Sequence, residues 1–420
     1  MANNLSSNTS SKVMRVFLKR AEASRVLSKT VETSMFQGDF TPQYGDTIYV
    51  KRPHDYRAIR TSDGDISGST KNSIISGHAA AEVQDYITVP IPWTNREEAL
   101  QLDQLEEILA PSMDRAITEL ETSLASYMRT RAGLSIGTPG TAATTWEHVA
   151  LAPALMQATG VPTGDWNYVM NPFTQTKLAG AQSAIYADSL VKTAWEKAQI
   201  ATNFGGIKAI SANTLSAFTN GTCADRAGTL SATPTATYVA HKDTMVQSLA
   251  VAGFSGNGVI AAGEVVEVTG RYRLNLATRL PVVDAAGAKV LWRATVLETV
   301  ELDGDGAGTI QVSGPAIFEA NGQYNTVEAA LTSGDVITVL GASAGTVSPN
   351  LFYHKQAFAL ATVKLPKLNG WDTVGWNKDG FSARVTRYSD GDANSQTMRL
   401  DIQPAFATLN PFYAGLGYGS

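Results

Sequence analysis

The residues able to do chemistry are scattered along this chain rather than gathered. Five histidines, His54, His78, His148, His241 and His354, stand far apart, and none is paired at the spacing of a metal site. No His-Glu-x-x-His, no Gly-x-Ser-x-Gly elbow and no phosphate-binding Gly-Lys-Ser/Thr loop occurs. Asp303-Gly304-Asp305-Gly306 begins like a calcium loop. Ala307 takes its third acidic position and the closing Glu is missing, so a β-turn is the reading. Gly253, Gly256 and Gly258 lack the strand-to-helix setting of a dinucleotide fingerprint and read as hairpin turns. Lys71-Asn72 sets an amine beside an amide, the two partners of an isopeptide bond, but one such pair in a polar loop carries little weight. Cys223 stands alone, which excludes an internal disulfide framework and reads as a buried thiol. No nucleophile–base pair can be nominated. The sequence therefore predicts no catalytic residue, no cofactor and no metal.

Composition points the same way. Charged residues make up 17% of the 420, below the usual quarter, so much of the surface must be Ser, Thr, Asn, Gly and Ala. Such a surface suits a protein covered by partners; it also suits an extracellular adhesin. A net charge of −5 leaves no basic stripe for gripping nucleic acid. No run approaches the roughly 18 apolar residues of a membrane span, and the polar start is unlike a signal peptide. The expectation is a soluble protein made in a cytoplasm, with no membrane partner.

The elements that must position these residues read as a mixed α+β chain. After a polar start, Lys12 to Lys29 has the pattern of an amphipathic helix, with Arg15, Lys19 and Arg20 on a locally basic face. That face is either simply solvated or docks on an acidic partner. Asp46–Arg52 and Tyr86–Ile91 read as strands closing on a long polar excursion, an extended β-hairpin with its tip at about 54–85. The tip carries Arg57, Arg60, Asp63, Asp65 and Lys71. It cannot bury itself, so it should lie on something else. Asn95 to Arg131 carries a stripe of Leu102, Leu105, Leu109, Ile117, Leu120, Leu124 and Met128 near the helical period, capped by Thr94 or Asn95. Such a helix spans roughly 55 Å, and Pro111 should kink or divide it.

Trp146–Thr159 reads as a helix with a break at Pro153, Trp166–Met170 as a buried strand, and Phe173–Ala181 as the start of another helix. Across 225–348 the helical signal nearly vanishes. Short Val/Thr/Ile/Leu strands replace it at 265–269, 289–296, 308–312 and 335–340, separated by glycine turns. They predict a small β-barrel or sandwich inserted into the larger body. Phe352–Leu365 then reads as helix followed by strand, and Phe381–Tyr388 and Thr397–Ile402 as strands.

This order resembles the major capsid proteins of tailed bacteriophages with the Hong Kong 97-type fold. It is most similar to the coat proteins of short-tailed Salmonella-type phages, which carry an extra β-barrel. The resemblance covers nearly the whole chain. It rests on Asn350–Ala361 with Val363-Lys364-Leu365-Pro366, on Phe381–Tyr388 with Arg399-Leu400-Asp401-Ile402, and on Trp166–Pro172 with Lys177-Leu178-Ala179-Gly180. It implies an N-terminal arm (1–35), an extended loop region (36–94), a spine helix and peripheral domain (95–143), an apical domain (144–224), the inserted barrel (225–348) and closing strands (349–420). It further implies self-assembly into pentamers and hexamers of an icosahedral shell around double-stranded DNA held by weak non-specific contact. A separate scaffolding protein, which would dock on the basic arm, and a portal protein are implied partners. The extended loop would lie over an adjacent subunit. One departure stands out. Where the relatives project a long charged loop from the insert, this chain has only the short His241-Lys242-Asp243, so Lys242 and Asp243 are the weakest candidate contacts. The competing readings are an encapsulin-type shell, which lacks the large insert, a β-rich adhesin or tail component, which would not need the spine helix, and a hydrolase.

Overall fold

The structure is a computed structural model. It describes residues 24–34, 47–94, 105–182, 203–204, 206–368, 372–378 and 381–419. The chain is mixed α+β and forms two units. One gathers the described residues of 1–50, 80–125 and 358–407, and the other those of 51–79, 126–357 and 408–419.

The first unit holds two four-stranded sheets. In one the order is Thr47–Lys51, His78–Val83, Pro404–Thr408, Phe358–Thr362. In the other it is Asp372–Lys378, Phe381–Asp390, Ser395–Ile402, Ile87–Thr94. Two expectations are corrected here. The partner of Thr47–Lys51 is His78–Val83, not the strand that begins near residue 86. Ile87–Thr94 instead forms the edge of the second sheet, with Ile91 opposite Met398 and Val89 opposite Leu400. Pro90 and Pro92 are two apart, so their missing N–H groups face one side, and only an edge leaves that side open. His78–Val83 escaped notice because its buried positions are small: Ala79 and Ala81 are each 1% exposed. The second correction concerns Phe352–Leu365. This stretch is a strand at Asn350–His354, a three-residue 3₁₀ turn at Lys355–Ala357 and a strand at Phe358–Thr362, with no α-helix.

Leu105–Thr130 is one helix with Pro111 inside it, so the proline does not divide it. Ile117, Leu120, Leu124 and Met128 are fully buried. The remainder of that reading, 95–104 with Asn95 as cap, lies outside the described residues, and Thr94, the other cap candidate, ends the strand Ile87–Thr94. Within the first unit, Asp401 has a side chain wholly removed from solvent and gathers four donors from three strands. Arg384 donates from Nη2 at 2.7 Å and Nε at 3.2 Å, Arg399 from Nε at 2.6 Å and Thr88 from Oγ1 at 2.8 Å. A buried carboxylate is tolerable only with such pairing.

The second unit joins a six-stranded sheet to a closed six-stranded barrel. The sheet runs Leu134–Ile136, Ala414–Gly417, Asn350–His354, Trp166–Met170, Ile207–Ser211, Asn203–Phe204. The helix Trp146–Ala158 packs Val149, Ala152 and Met156 against Tyr168, Met170 and Phe352. It runs through Pro153, where a break was expected. The barrel order is Val246–Ala252, Gly308–Ser313, Leu291–Val296, Val265–Tyr272, Val336–Val339, Ala227–Leu230. Alternating Val, Ile and Leu fill it around Trp292, and Cys223 is buried in the same core. Asp303 closes a turn there, its Oδ1 accepting from the N–H of Asp305 at 3.0 Å and of Ala307 at 2.8 Å.

The insert enters and leaves through one stem. Phe218–Thr219 pairs with Thr346–Val347, and Arg226 donates from Nη2 to Leu340 O (3.2 Å) and from Nε to Gly341 O (3.1 Å). The barrel meets the sheet at close backbone range. A Cβ on Gly314, whose φ is +87°, would sit 2.9 Å from Gly133 Cα, so glycine is required there. Ser313 Oγ donates to Arg131 O, Arg273 Nη2 to Gly133 O and Arg293 Nη1 to Gly137 O, at 2.9, 2.9 and 3.1 Å. Among the described residues no carboxylate pairs with Arg273. Burial, with Arg293 nearby, lowers its pKa to about 10.

Candidate assembly surfaces

Residues 52–77 form neither helix nor strand, and Arg57, Arg60, Asp63, Asp65 and Lys71 are all exposed along them. Their local structure is made of short self-contained turns. Asp63 Oδ1 accepts from Asp65 N at 3.0 Å across Gly64, whose φ is +81°. Asp65 Oδ1 accepts from Ser67 N at 2.8 Å, and that bond holds the Asp65 carboxyl below its ordinary value. Asn72 accepts from Arg57 N (3.0 Å) and donates to Arg57 O (2.8 Å), a rung across the loop that occupies the amide next to Lys71. Tyr56, Ile66 and Ile74 are 55%, 44% and 77% exposed. These three large apolar side chains are open to another surface.

The two feet of this loop are held. Arg52 is 6% exposed and donates to the carbonyls of Leu409, Thr408 (3.3 Å) and Asp243 (3.1 Å). Burial lowers its pKa to about 10, against the pull of Tyr238 and Asp243. Asp55 pairs with Arg279. Lys242 and Asp243, the weakest candidates in the sequence, belong to this region. Asp243 takes Lys242 Nζ at 2.6 Å and both the backbone N–H and Nδ1 of His78, at 3.1 and 2.9 Å. Burial raises the Asp243 pKa, and the bonds from Lys242 and His78 outweigh it, leaving the carboxyl below its ordinary value.

Arg15, Lys19 and Arg20 lie outside the described residues. The described end of the arm is not the helix expected as far as Lys29. After Ser24 the chain bends, and Leu27–Lys29 is a 3₁₀ turn. Glu121 explains the bend. It is 1% exposed on the long helix and accepts from Leu27 N at 2.6 Å, Ser28 N at 3.0 Å and Ser28 Oγ. The orphaned donors of a short turn thus find a carboxylate. A signal for this existed: Glu121 falls between Ile117, Leu120 and Leu124, an acid on the apolar stripe. Arg52, Asp55, Arg279 and Gln323 had no comparable local signal.

Among the described residues no group of three His, Cys, Asp or Glu is placed to hold a metal, and no helix is long and apolar enough to cross a membrane. The model of the P22 coat protein family (gene protein 5) matches residues 1–419. The chain belongs to that coat protein family. A major capsid protein of Acyrthosiphon pisum secondary endosymbiont phage 1 is 40% identical to this coat protein over 424 residues, covering all of both chains. Among solved structures, that of Mycobacterium phage Che8 is 10% identical, covering 93% of this chain and 90% of that one, with a TM-score of 0.47. The capsid structure of cyanophage P-SCSP1u is 11% identical, covering 90% and 84%, with a TM-score of 0.44. These two likenesses are too slight to bear weight. What ties this coat protein to its family is the match along its whole length.

Proposed function

We propose that this coat protein is the major capsid protein of a tailed phage, building a Hong Kong 97-type icosahedral shell of pentamers and hexamers around double-stranded DNA. The observation that carries the reading is the family match over residues 1–419, with a phage major capsid protein at 40% identity. The exposed Tyr56, Ile66 and Ile74 on the 52–77 loop support it, since a neighbouring copy laid over the loop would remove them from water. Many small interfaces closed around rings then gain from multiplicity. The role is structural, not catalytic. The shell is part of the virion, and the chain is assembled in the host cytoplasm.

The finer partners belong to the same reading. A separate scaffolding protein docks on the basic arm at Arg15, Lys19 and Arg20, a portal occupies one vertex, and DNA is held weakly by a wall of net charge −5 per copy. The arm, loop, spine, apical and insert regions divide near residues 35, 94, 143, 224 and 348. Electron microscopy of the sedimenting fraction, after expression of the full chain, tests the proposal. Closed, spiral or misclosed shells are the result in its favour; monomers or small fixed oligomers alone, even with the scaffolding protein co-expressed, would overturn it. Reversing Arg15, Lys19 and Arg20 to Glu should block co-assembly with scaffold while the monomer stays folded.

A further inference from the structure

We propose that the inserted barrel serves as a clasp on the extended loop, fixing its two feet so that the exposed tip reaches a neighbouring copy already aimed. The last clause rests on the capsid reading; the clasp itself rests on contacts within one unit of one chain.

Three separate excursions of the insert converge on the loop. From the segment after Gly308–Ser313, Gln323 reaches both feet at once. Its Nε2 donates to Asp55 O at 2.9 Å and to Ser73 O at 2.8 Å, and its Oε1 accepts from Ser73 N at 3.2 Å. With the Asn72–Arg57 rung, this side chain holds the spacing between the outgoing and returning limbs. From the same segment, the Tyr324 hydroxyl accepts from Asp55 N at 3.3 Å and Asn321 O accepts from Arg57 Nη1 at 3.3 Å. From the excursion after Val265–Tyr272, Arg279 pairs with Asp55 and donates to Asn325 O at 2.7 Å. From the turn before Val246–Ala252, Asp243 takes His78 and offers its carbonyl to Arg52.

None of these residues lies in the barrel core, so the barrel does not need them in order to close. The join is mainly polar. Ile75 is the loop's own apolar contribution, packed on the Tyr238, Met245, Ile317 and Tyr324 cluster. A cavity of about 300 Å³ remains among Arg52, Asp55, Tyr238, Arg279, Tyr324 and Phe412. Polar ties around a cavity can be cut without opening a core.

Two variants of the full chain test the clasp. Gln323→Leu removes the insert's bridge between Asp55 and Ser73. Gly77→Ala is a wedge: its Cβ would lie 2.6 Å from Lys242 O, pushing the returning foot off the insert from outside the barrel. The readouts are hydrogen exchange of the 52–77 amides in the monomer, the alkylation rate of Cys223, and the fraction of chain that pellets as particles. We expect loop exchange to quicken about tenfold or more in both variants, Cys223 labelling to stay at the parent rate, and pelleting particles to fall or misclose. Unchanged loop exchange in Gly77→Ala would overturn the clasp, and a freed loop with normal particles would overturn its aiming role. If the parent chain forms no particles even with the scaffolding protein co-expressed, the capsid reading fails and loop exchange alone judges the clasp.

Discussion

Glu264→Gln should open the barrel, and the size of the effect follows from what the side chain holds. Glu264 is wholly buried. It accepts Arg226 Nη2 at 2.6 Å, Ala261 N at 2.7 Å and Gly221 N at 3.2 Å. Arg226 in turn binds the carbonyls where the insert leaves, so one carboxylate closes the insert's entrance and exit together. The amide keeps the shape but strands a guanidinium that is 15% exposed and turns a donor toward backbone N–H groups. Breaking a buried pair from one side costs about 3–5 kcal/mol, and the partial exposure of Arg226 places this case near the lower figure. At about 1.4 kcal/mol per decade, the open barrel becomes roughly a hundredfold more populated. Cys223, the one cysteine and fully buried in the barrel core, reports that opening directly. Its alkylation under native conditions should quicken by the same factor. Arg226→Met combined with Glu264→Met should recover most of the protection, because no charge is then stranded. A parent-like labelling rate in Glu264→Gln would refute the assignment of the closure to this pair.

Further outcomes follow from other buried groups. Glu121→Ala removes the acceptor of Leu27 N and Ser28 N, so exchange of those two amides should rise about tenfold or more while the global unfolding midpoint moves little. His354 is lowered below its ordinary 6.5 by burial, with Asp165 pulling the other way, and its Nδ1 accepts from Gln356 N at 3.1 Å. The unfolded chain therefore holds the extra proton between the lowered value and 6.5. Stability from this group is complete above that window and falls as pH drops through it. His354→Asn, which retains an acceptor, should flatten the slope of urea midpoints just below pH 6.5. Gly415→Ala would drive a Cβ into the Phe352 ring across the six-stranded sheet, a loss of about 1–3 kcal/mol readable as a lower denaturant midpoint.

Much of the fold was visible in the sequence where side-chain size and period agree. Val265, Val266 and Val268, Ile310 and Val312, and Ile337 and Val339 mark barrel strands, and the Ile117–Met128 stripe marks the long helix. The misreadings share a cause. Ala357-Phe358-Ala359-Leu360-Ala361 has strong helix propensity, yet its strand is buried at every position, so burial overrides local preference. His78–Val83 is half alanine and shows little contrast between faces. The loop was legible as a polar excursion needing a surface. That its feet rest on its own insert was not, because Gln323 and Asp55 are 268 residues apart and nothing in either neighbourhood anticipates the other.

The placement of the last strands bears on synthesis. Ala414–Gly417 lies between Leu134–Ile136 and Asn350–His354, and Pro404–Thr408 lies between His78–Val83 and Phe358–Thr362. Both sheets therefore wait for residues 404–417, made after the whole barrel, before their interior strands exist. The barrel needs only residues 227–339 for its strands and can close while the rest is still being translated. The nascent chain then carries one finished module between two incomplete sheets with open edges. Premature pairing between neighbouring polysomal chains is the hazard of that interval, and the early-closing barrel shortens the stretch of chain exposed to it.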